Sequence, residues 1–312
     1  MKKIIVTGGA GFIGSNLTLK LQEKYNAASI TVVDTLESGD FKNLIGFKGD
    51  LLCQDISDPL MTPKLTERNP DVIFHLASIS DTRVIDQTRM LQKNVEGFRH
   101  VIEVARQTGC RVVYASSAAV YGVTQGRLSE EKQRQPANVY GFSKLLLENL
   151  AALAVNESPS LRIVGLRYFN VYGPGETHKK DYASMIYQLS QQMLANRRPR
   201  IYRDGEQKRD FIHVKDVVEM TLRAAETSSI PSNAVYNVGT GNPTSFNRII
   251  AILNDVLKTD FSPEYFENPY SFFQPHTEAD MSRAKRELNF TASYQIEDGI
   301  RDYCAHHLLI RS

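Results

Sequence analysis

Residues 7–14 read TGGAGFIG, and they stand directly between an apolar run, IIV at 4–6, and an amphipathic stretch, SNLTLKLQEKYN at 15–26. Gly8, Gly11 and Gly14 recur at three-residue spacing. A tight turn, a close approach of backbone to a ligand and close packing of helix on strand each exclude a Cβ, and the first turn of a helix offers free N–H groups to phosphate. In the following stretch Leu17, Leu21 and Tyr25 fall four apart, as one apolar helix face would. The next apolar run, 29–34, ends in Asp34, where a carboxylate can accept from the hydroxyls of an adenosine ribose. Strand, glycine turn, helix and acid together read as a dinucleotide site with Gly8, Gly11, Phe12, Ile13, Gly14, Asp34 and Thr35 around it.

Outward from that unit, buried runs at 72–76, 112–116 and 162–167 alternate with amphipathic stretches, which is the pattern of a parallel sheet covered by helices. A further strand is expected at 234–238, and helices from Val139 onward, at 245–257 and at 282–288. The expected fold is α/β, a Rossmann-type doubly wound parallel sheet carrying a smaller α/β lobe. Residues 1–170, with a return segment at about 210–240, are assigned to dinucleotide binding, and 171–209 with 241–312 to the substrate. Strand ends are where ligands bind in such sheets, which adds Asp55, Ile56, Leu76, Ala77 and Ser78.

Composition narrows the class. Of 312 residues 42% are hydrophobic, and 37 basic residues against 35 acidic ones leave no positive field for nucleic acid. The opening MKKIIVTGGAGFIG lacks the longer apolar core of a secretory signal, and no run approaches membrane-span length, so a cytoplasmic enzyme is expected. Cys53, Cys110 and Cys304 show no CxxC spacing and are read as buried free thiols, with no metal site.

Tyr140 and Lys144, in NVYGFSK, lie four apart and share one helix face. That geometry suits proton transfer. A phenol titrates near 10, so a neighbouring ammonium and a nicotinamide cation are what would bring its phenolate within reach at neutral pH. Ser117, in SSAAVYG at the end of a strand, can hydrogen-bond the hydroxyl that Tyr140 would deprotonate.

With TGGAGFIG, SSAAVYG and YGFSK in one chain, the sequence resembles the extended short-chain dehydrogenase/reductase family. The stretches LRYFNVYGPGETHKKDYAS, KRDFIHVKDV, YNVGTGNPTSF and FFQPHTEAD resemble its branch of epimerases acting on C6 of ADP-glycero-manno-heptose, which supply heptose for lipopolysaccharide. The resemblance implies oxidation to a ketone by bound NADP and return of the hydride to the other face. It also implies a second proton-transfer group, Lys179, and contacts from Asn94, Asn170 and Val171. Arg209 would meet the nucleotide pyrophosphate, with a salt bridge to Asp210 as the alternative. Four positions depart from the branch. Asp40 stands where a lysine suited to a 2′-phosphate is usual, Asp181 replaces a small hydroxyl residue, Gln188 a histidine and Phe273 a tyrosine.

Cofactor choice stays open between NADP, implied by resemblance, and NAD, because Asp34 repels a 2′-phosphate that Lys42 and Lys48 could attract. The expected partners are a nucleotide sugar and further copies of the chain, with neither nucleic acid nor membrane. Alternatives are another sugar-nucleotide 4-epimerase, dehydratase or dehydrogenase, and a cofactor-sensing protein without chemistry.

Overall fold

Every residue of β4 (Val72–His75), and all but the first of β1 (Lys3–Thr7) and β2 (Ser29–Val33), is buried, because these strands are covered by helices on both faces. The computed structural model describes residues 1–81, 84, 86–124, 126–267 and 274–305. With β3 (Asp50–Leu52), β5 (Arg111–Ser117) and β6 (Arg162–Tyr168) these strands build most of a seven-stranded sheet. β7 (Asn170–Tyr172), β9 (Lys208–His213) and β11 (Pro243–Ser245) form a second sheet, and β8 (Arg200–Tyr202) with β12 (Glu264–Phe266) a third. The seventh strand of the large sheet is β10 (Val235–Val238), so the chain returns to it late.

The large sheet runs β3-β2-β1-β4-β5-β6-β10, and every pairing in it is parallel. The chain therefore walks outward from β1 in one direction, then crosses back and walks outward in the other. Between β1 and β4 the crossovers diverge, and a crevice opens at the carboxyl ends of the strands. Thr7 and His75, paired across that point, are also tied through their side chains at 2.8 Å.

Alternation along β1 sends Ile4 and Val6 to one face and Ile5 to the other. The first face is covered by α1 (Phe12–Lys24), the second by α2 (Met61–Glu67), α4 (Gly97–Thr108) and α5 (Val139–Glu157). A short α3 (Gln87–Leu91) runs into α4 through a π-turn at Gln92–Glu96. The first core is completed by α7 (Val214–Glu226) and α9 (Ser282–Leu288). A separate cluster joins Tyr172, Phe211, Phe246, Leu253 and Ile300 from β7, β9, α8 (Phe246–Leu257) and α10 (Ile296–Tyr303) with α6 (Met185–Leu194).

Most expected strands match within a residue at each end. β3 is absent from the expectation, because three half-exposed residues carry no periodic signal. Cys110 and Cys304 are buried, but Cys53 is exposed, just past the short edge strand β3, which corrects the reading of three buried thiols. Among the described residues no helix is long and apolar enough to cross a membrane.

Candidate active site

A cleft of about 300 Å³ runs over the carboxyl ends of β1, β4 and β5. Its floor is the glycine turn. Gly8 has φ +72°, and a Cβ there would stand 2.6 Å from the Ala77 nitrogen; a Cβ on Gly14 would overlap the Gly8 carbonyl oxygen. Backbone of β1, the turn and the β4 end are thus in contact with no room for side chains. α1 begins at Gly11 with no side-chain cap, leaving its first N–H groups facing the cleft. Asp34 is 8% exposed, and its carboxylate accepts from Ala10 N and Leu36 N, each at 2.9 Å, which locks the turn to the end of β2.

The other wall is built by α5. Asn138 caps it by accepting from Gly141 N at 2.8 Å, which starts the helix so that Tyr140 falls in its first turn. A Cβ on Gly141 would sit 2.5 Å from the Ala119 oxygen, so the helix start packs against the turn after β5. This close approach brings Ser117 to Tyr140. Lys144 follows one turn later, 2% exposed, its Nζ 5.7 Å from the centre of the Tyr140 ring. Burial pushes the Lys144 amine down to about 7. Burial also raises the Tyr140 phenol, while the Ser117 hydrogen bond acts the other way.

Lys179 also lines the cleft, within a 3₁₀ segment, Thr177–Tyr182. Its ammonium lies 5.6 Å from the Phe12 ring and 5.4 Å from the Tyr182 ring. Burial lowers its pKa, against which Glu176 and Asp81 raise it. Asn43 Nδ2 donates to Ala10 O at 3.1 Å and Gly175 O at 3.2 Å, and Asn16 donates to Pro174 O at 2.8 Å, so this loop is seated on the glycine turn and α1.

Residues 4–239 match the NAD dependent epimerase/dehydratase family. The chain belongs to that family. It is 35% identical to the ADP-L-glycero-D-manno-heptose-6-epimerase of Brachyspira hyodysenteriae over 96% of both chains. The crystal structure of the Helicobacter pylori protein of the same name matches with TM-score 0.91 and 40% identity, covering 98% of this chain and 96% of that one. The Thermotoga maritima UDP-glucose 4-epimerase, solved with UDP-glucose, matches at 0.89 and 29%, over 97% of each chain.

A nicotinamide cofactor comes with membership of this epimerase/dehydratase family, and the glycine cradle, which side chains would fill, fits a dinucleotide. Of the residues expected around it, Gly8, Gly11, Phe12, Ile13, Gly14, Asp34, Thr35, Asp55, Ile56, Leu76, Ala77, Ser78, Val171, Tyr140 and Lys144 line the cleft, as do Ser117 and Lys179. Others do not. Lys42 is exposed beyond the turn. Asn94, buried in the π-turn, instead accepts from Ile79 N at 2.8 Å and donates to Ser143 at 2.9 Å, supporting the wall from behind. Asn170 donates to Asp210 O at 3.2 Å. Asp181 is exposed, and Gln188 donates to the carbonyls of Asp181 and Ala183. Phe273 lies outside the described residues.

Arg209 lies over the Phe246 ring at 5.9 Å, and burial lowers its pKa to about 10. It does not pair with Asp210, whose fully buried carboxylate is occupied by Thr240 N and Oγ1, Gly241 N and Ala279 N. Among the described residues no carboxylate forms an ion pair with Arg209. Sequence reasoning missed Glu37, Ser38, Gly39, Gln54, Lys93, His178 and Tyr182, which also line the cleft. Glu37, Ser38, Gly39 and Gln54 come from loops, Lys93 from the π-turn, and His178 and Tyr182 from the 3₁₀ segment, none of which carries a helix or strand period. Glu37 and Lys93 engage Arg89 and Asp55 in ion pairs. Among the described residues no cluster of His, Cys, Asp and Glu could hold a metal ion.

Proposed function

We propose that this chain inverts C6 of an ADP-activated glycero-manno-heptose, using bound NAD, without net oxidation. The observation that supports the reading is that Ser117, Tyr140, Lys144 and Lys179 all line one cleft with the glycine turn. The named activity of the Brachyspira and Helicobacter relatives, over nearly whole chains, supports the substrate.

When bound, a nicotinamide would supply the redox chemistry, as a reversible acceptor of hydride from the alcohol carbon. The protein supplies the rest. Tyr140 Oη receives the proton of the sugar hydroxyl as the ketone forms, and Ser117 holds that oxygen by a hydrogen bond. Lys144 would hold the nicotinamide ribose, and its protonated form would favour the phenolate. Inversion needs a second proton-transfer group on the other side of the carbon, a role we assign to Lys179, which lines the same cleft. Arg209, half-buried and without a carboxylate partner among the described residues, binds the pyrophosphate, where a guanidinium fork matches paired oxygens. Gln188 acts from outside the cleft, tying the backbone of Asp181 and Ala183 beyond Lys179 through their carbonyls.

The adenosine end supports NAD over NADP. Asp34 and Glu37 line it, and Arg89 and Lys93 are already engaged by Glu37 and Asp55, so a 2′-phosphate would meet carboxylates rather than a free cation. Equilibrium binding of each dinucleotide to stripped protein should show NAD bound at least about tenfold more tightly, a gap of about 1.4 kcal/mol. Equal or tighter binding of NADP contradicts this choice.

The activity is tested by incubating purified protein with ADP-D-glycero-D-manno-heptose and assigning the C6 configuration by NMR. A mixture of C6 epimers is expected. Unchanged heptose together with turnover of a UDP-hexose would reassign the substrate within the family.

A further inference from the structure

Glu148 lies one turn beyond Lys144 and two beyond Tyr140 on the same side of α5, yet it does not line the cleft. It is 3% exposed, and its carboxylate is filled. Oε1 accepts from Ser116 Oγ at 2.6 Å and Arg167 Nε at 2.8 Å, while Oε2 accepts from Arg167 Nη2 at 2.8 Å and Arg134 Nη1 at 3.1 Å. Arg167 extends the network by donating to Tyr121 Oη at 2.8 Å, and that hydroxyl donates to Asn237 Oδ1 at 2.7 Å. The segment 116–121 is therefore fastened at both ends to one ion pair. Ser117 stands inside it, its Oγ accepting from Ala119 N at 3.1 Å.

We infer that Glu148, with Arg167, is a positioning residue that sets Ser117 against Tyr140, because the helix carrying the tyrosine also carries the anchor of the opposing strand end. This rests on Ser117 and Tyr140 being the proton-transfer pair. Burial would raise the Glu148 carboxyl, but Arg167, Ser116 and Arg134 outweigh it and hold it below the usual range, so the anchor stays ionised. Removing one partner of so deep a pair also costs stability, so a positioning role is read from kcat and the Tyr140 titration rather than from melting.

The test combines Glu148→Gln, Ser116→Ala, Ser117→Ala and Tyr140→Phe in the cofactor-loaded protein. It reads epimerisation of ADP-D-glycero-D-manno-heptose and the Tyr140 titration, taken as the absorbance difference from the matching Tyr140→Phe protein. Glu148→Gln should lower kcat about 10–100-fold with KM and cofactor content nearly unchanged, since a small misplacement of reacting groups has effects of that size. The Tyr140 titration should move to higher pH, because the Ser117 bond that lowers it slackens. In the Ser117→Ala background Glu148→Gln should add less than about twofold, because the two act through one contact. Multiplying effects, or a lower melting temperature with kcat and titration unchanged, overturns the inference. Should Glu148→Gln not fold, Ser116→Ala, which leaves the ion pair whole, decides by the same readouts. A Tyr140→Phe protein that turns over normally would instead overturn the reading of the site.

Discussion

At the residue scale the site depends on groups held out of water. Tyr140→Phe should lower kcat by about 10²–10⁴ while released cofactor, measured by mass, is unchanged. Retained turnover would remove Tyr140 from the reaction. Lys144 makes a second prediction with a definite sign. Its amine titrates near 10.5 when exposed and about 7 in the fold. Below pH 7 both states carry the proton and the folded state bears the whole desolvation cost; between 7 and 10.5 the unfolded chain alone binds it, so stability rises with pH across that window. Lys144→Met should therefore stabilise the cofactor-free protein at pH 6, by up to roughly 5 kcal/mol, with the gap narrowing towards pH 9 in urea unfolding. A gap independent of pH would contradict it. Arg209→Ala should raise KM about 10–100-fold with cofactor content intact, as loss of a charged phosphate contact does; an unchanged KM would place the pyrophosphate elsewhere. Of these residues, Ser117, Tyr140 and Lys144 were legible because strand-end and helical spacing mark them, whereas Lys179 was legible only through resemblance. Asn94 shows the limit: its type suits a ligand contact, but only the π-turn determines that it faces Ile79 and Ser143.

At the element scale the glycine turn separates packing from binding. A Cβ on Gly14 would overlap backbone, whereas one on Gly11 would stand 3.2 Å from the Gly8 oxygen, a contact that small shifts relieve. Gly14→Ala should lose stability and cofactor together. Gly11→Ala should melt close to wild type but bind dinucleotide at least about tenfold more weakly, because its new methyl group occupies the cleft where backbone meets pyrophosphate. Full cofactor content in Gly11→Ala would contradict a close approach there. The turn and the long strands were readable because burial on both faces demands unbroken β-branched runs. The loop at 173–184 was not, since Glu176 holds it through Gly173 N and Ser184, contacts that no local pattern encodes.

At the scale of the whole molecule, a parallel sheet supplies a fixed crevice and a second apolar cluster, from Tyr172 to Ile300, builds the structure beside it. Alternation along the chain pointed to a doubly wound parallel sheet but not to its strand order; the return of β10 to the sheet was expected, but its place beside β6 is set by tertiary pairing. The central claim is that one carbon of the sugar is oxidised and reduced in place beside Tyr140. Running the reaction on ADP-D-glycero-D-manno-heptose in D2O and following C6 by NMR tests it most directly. The account predicts that the epimer forms with its C6 hydrogen retained and no deuterium at that carbon. Deuterium at C6 of the product would mean that the carbon is deprotonated into solvent, and the redox account would be wrong.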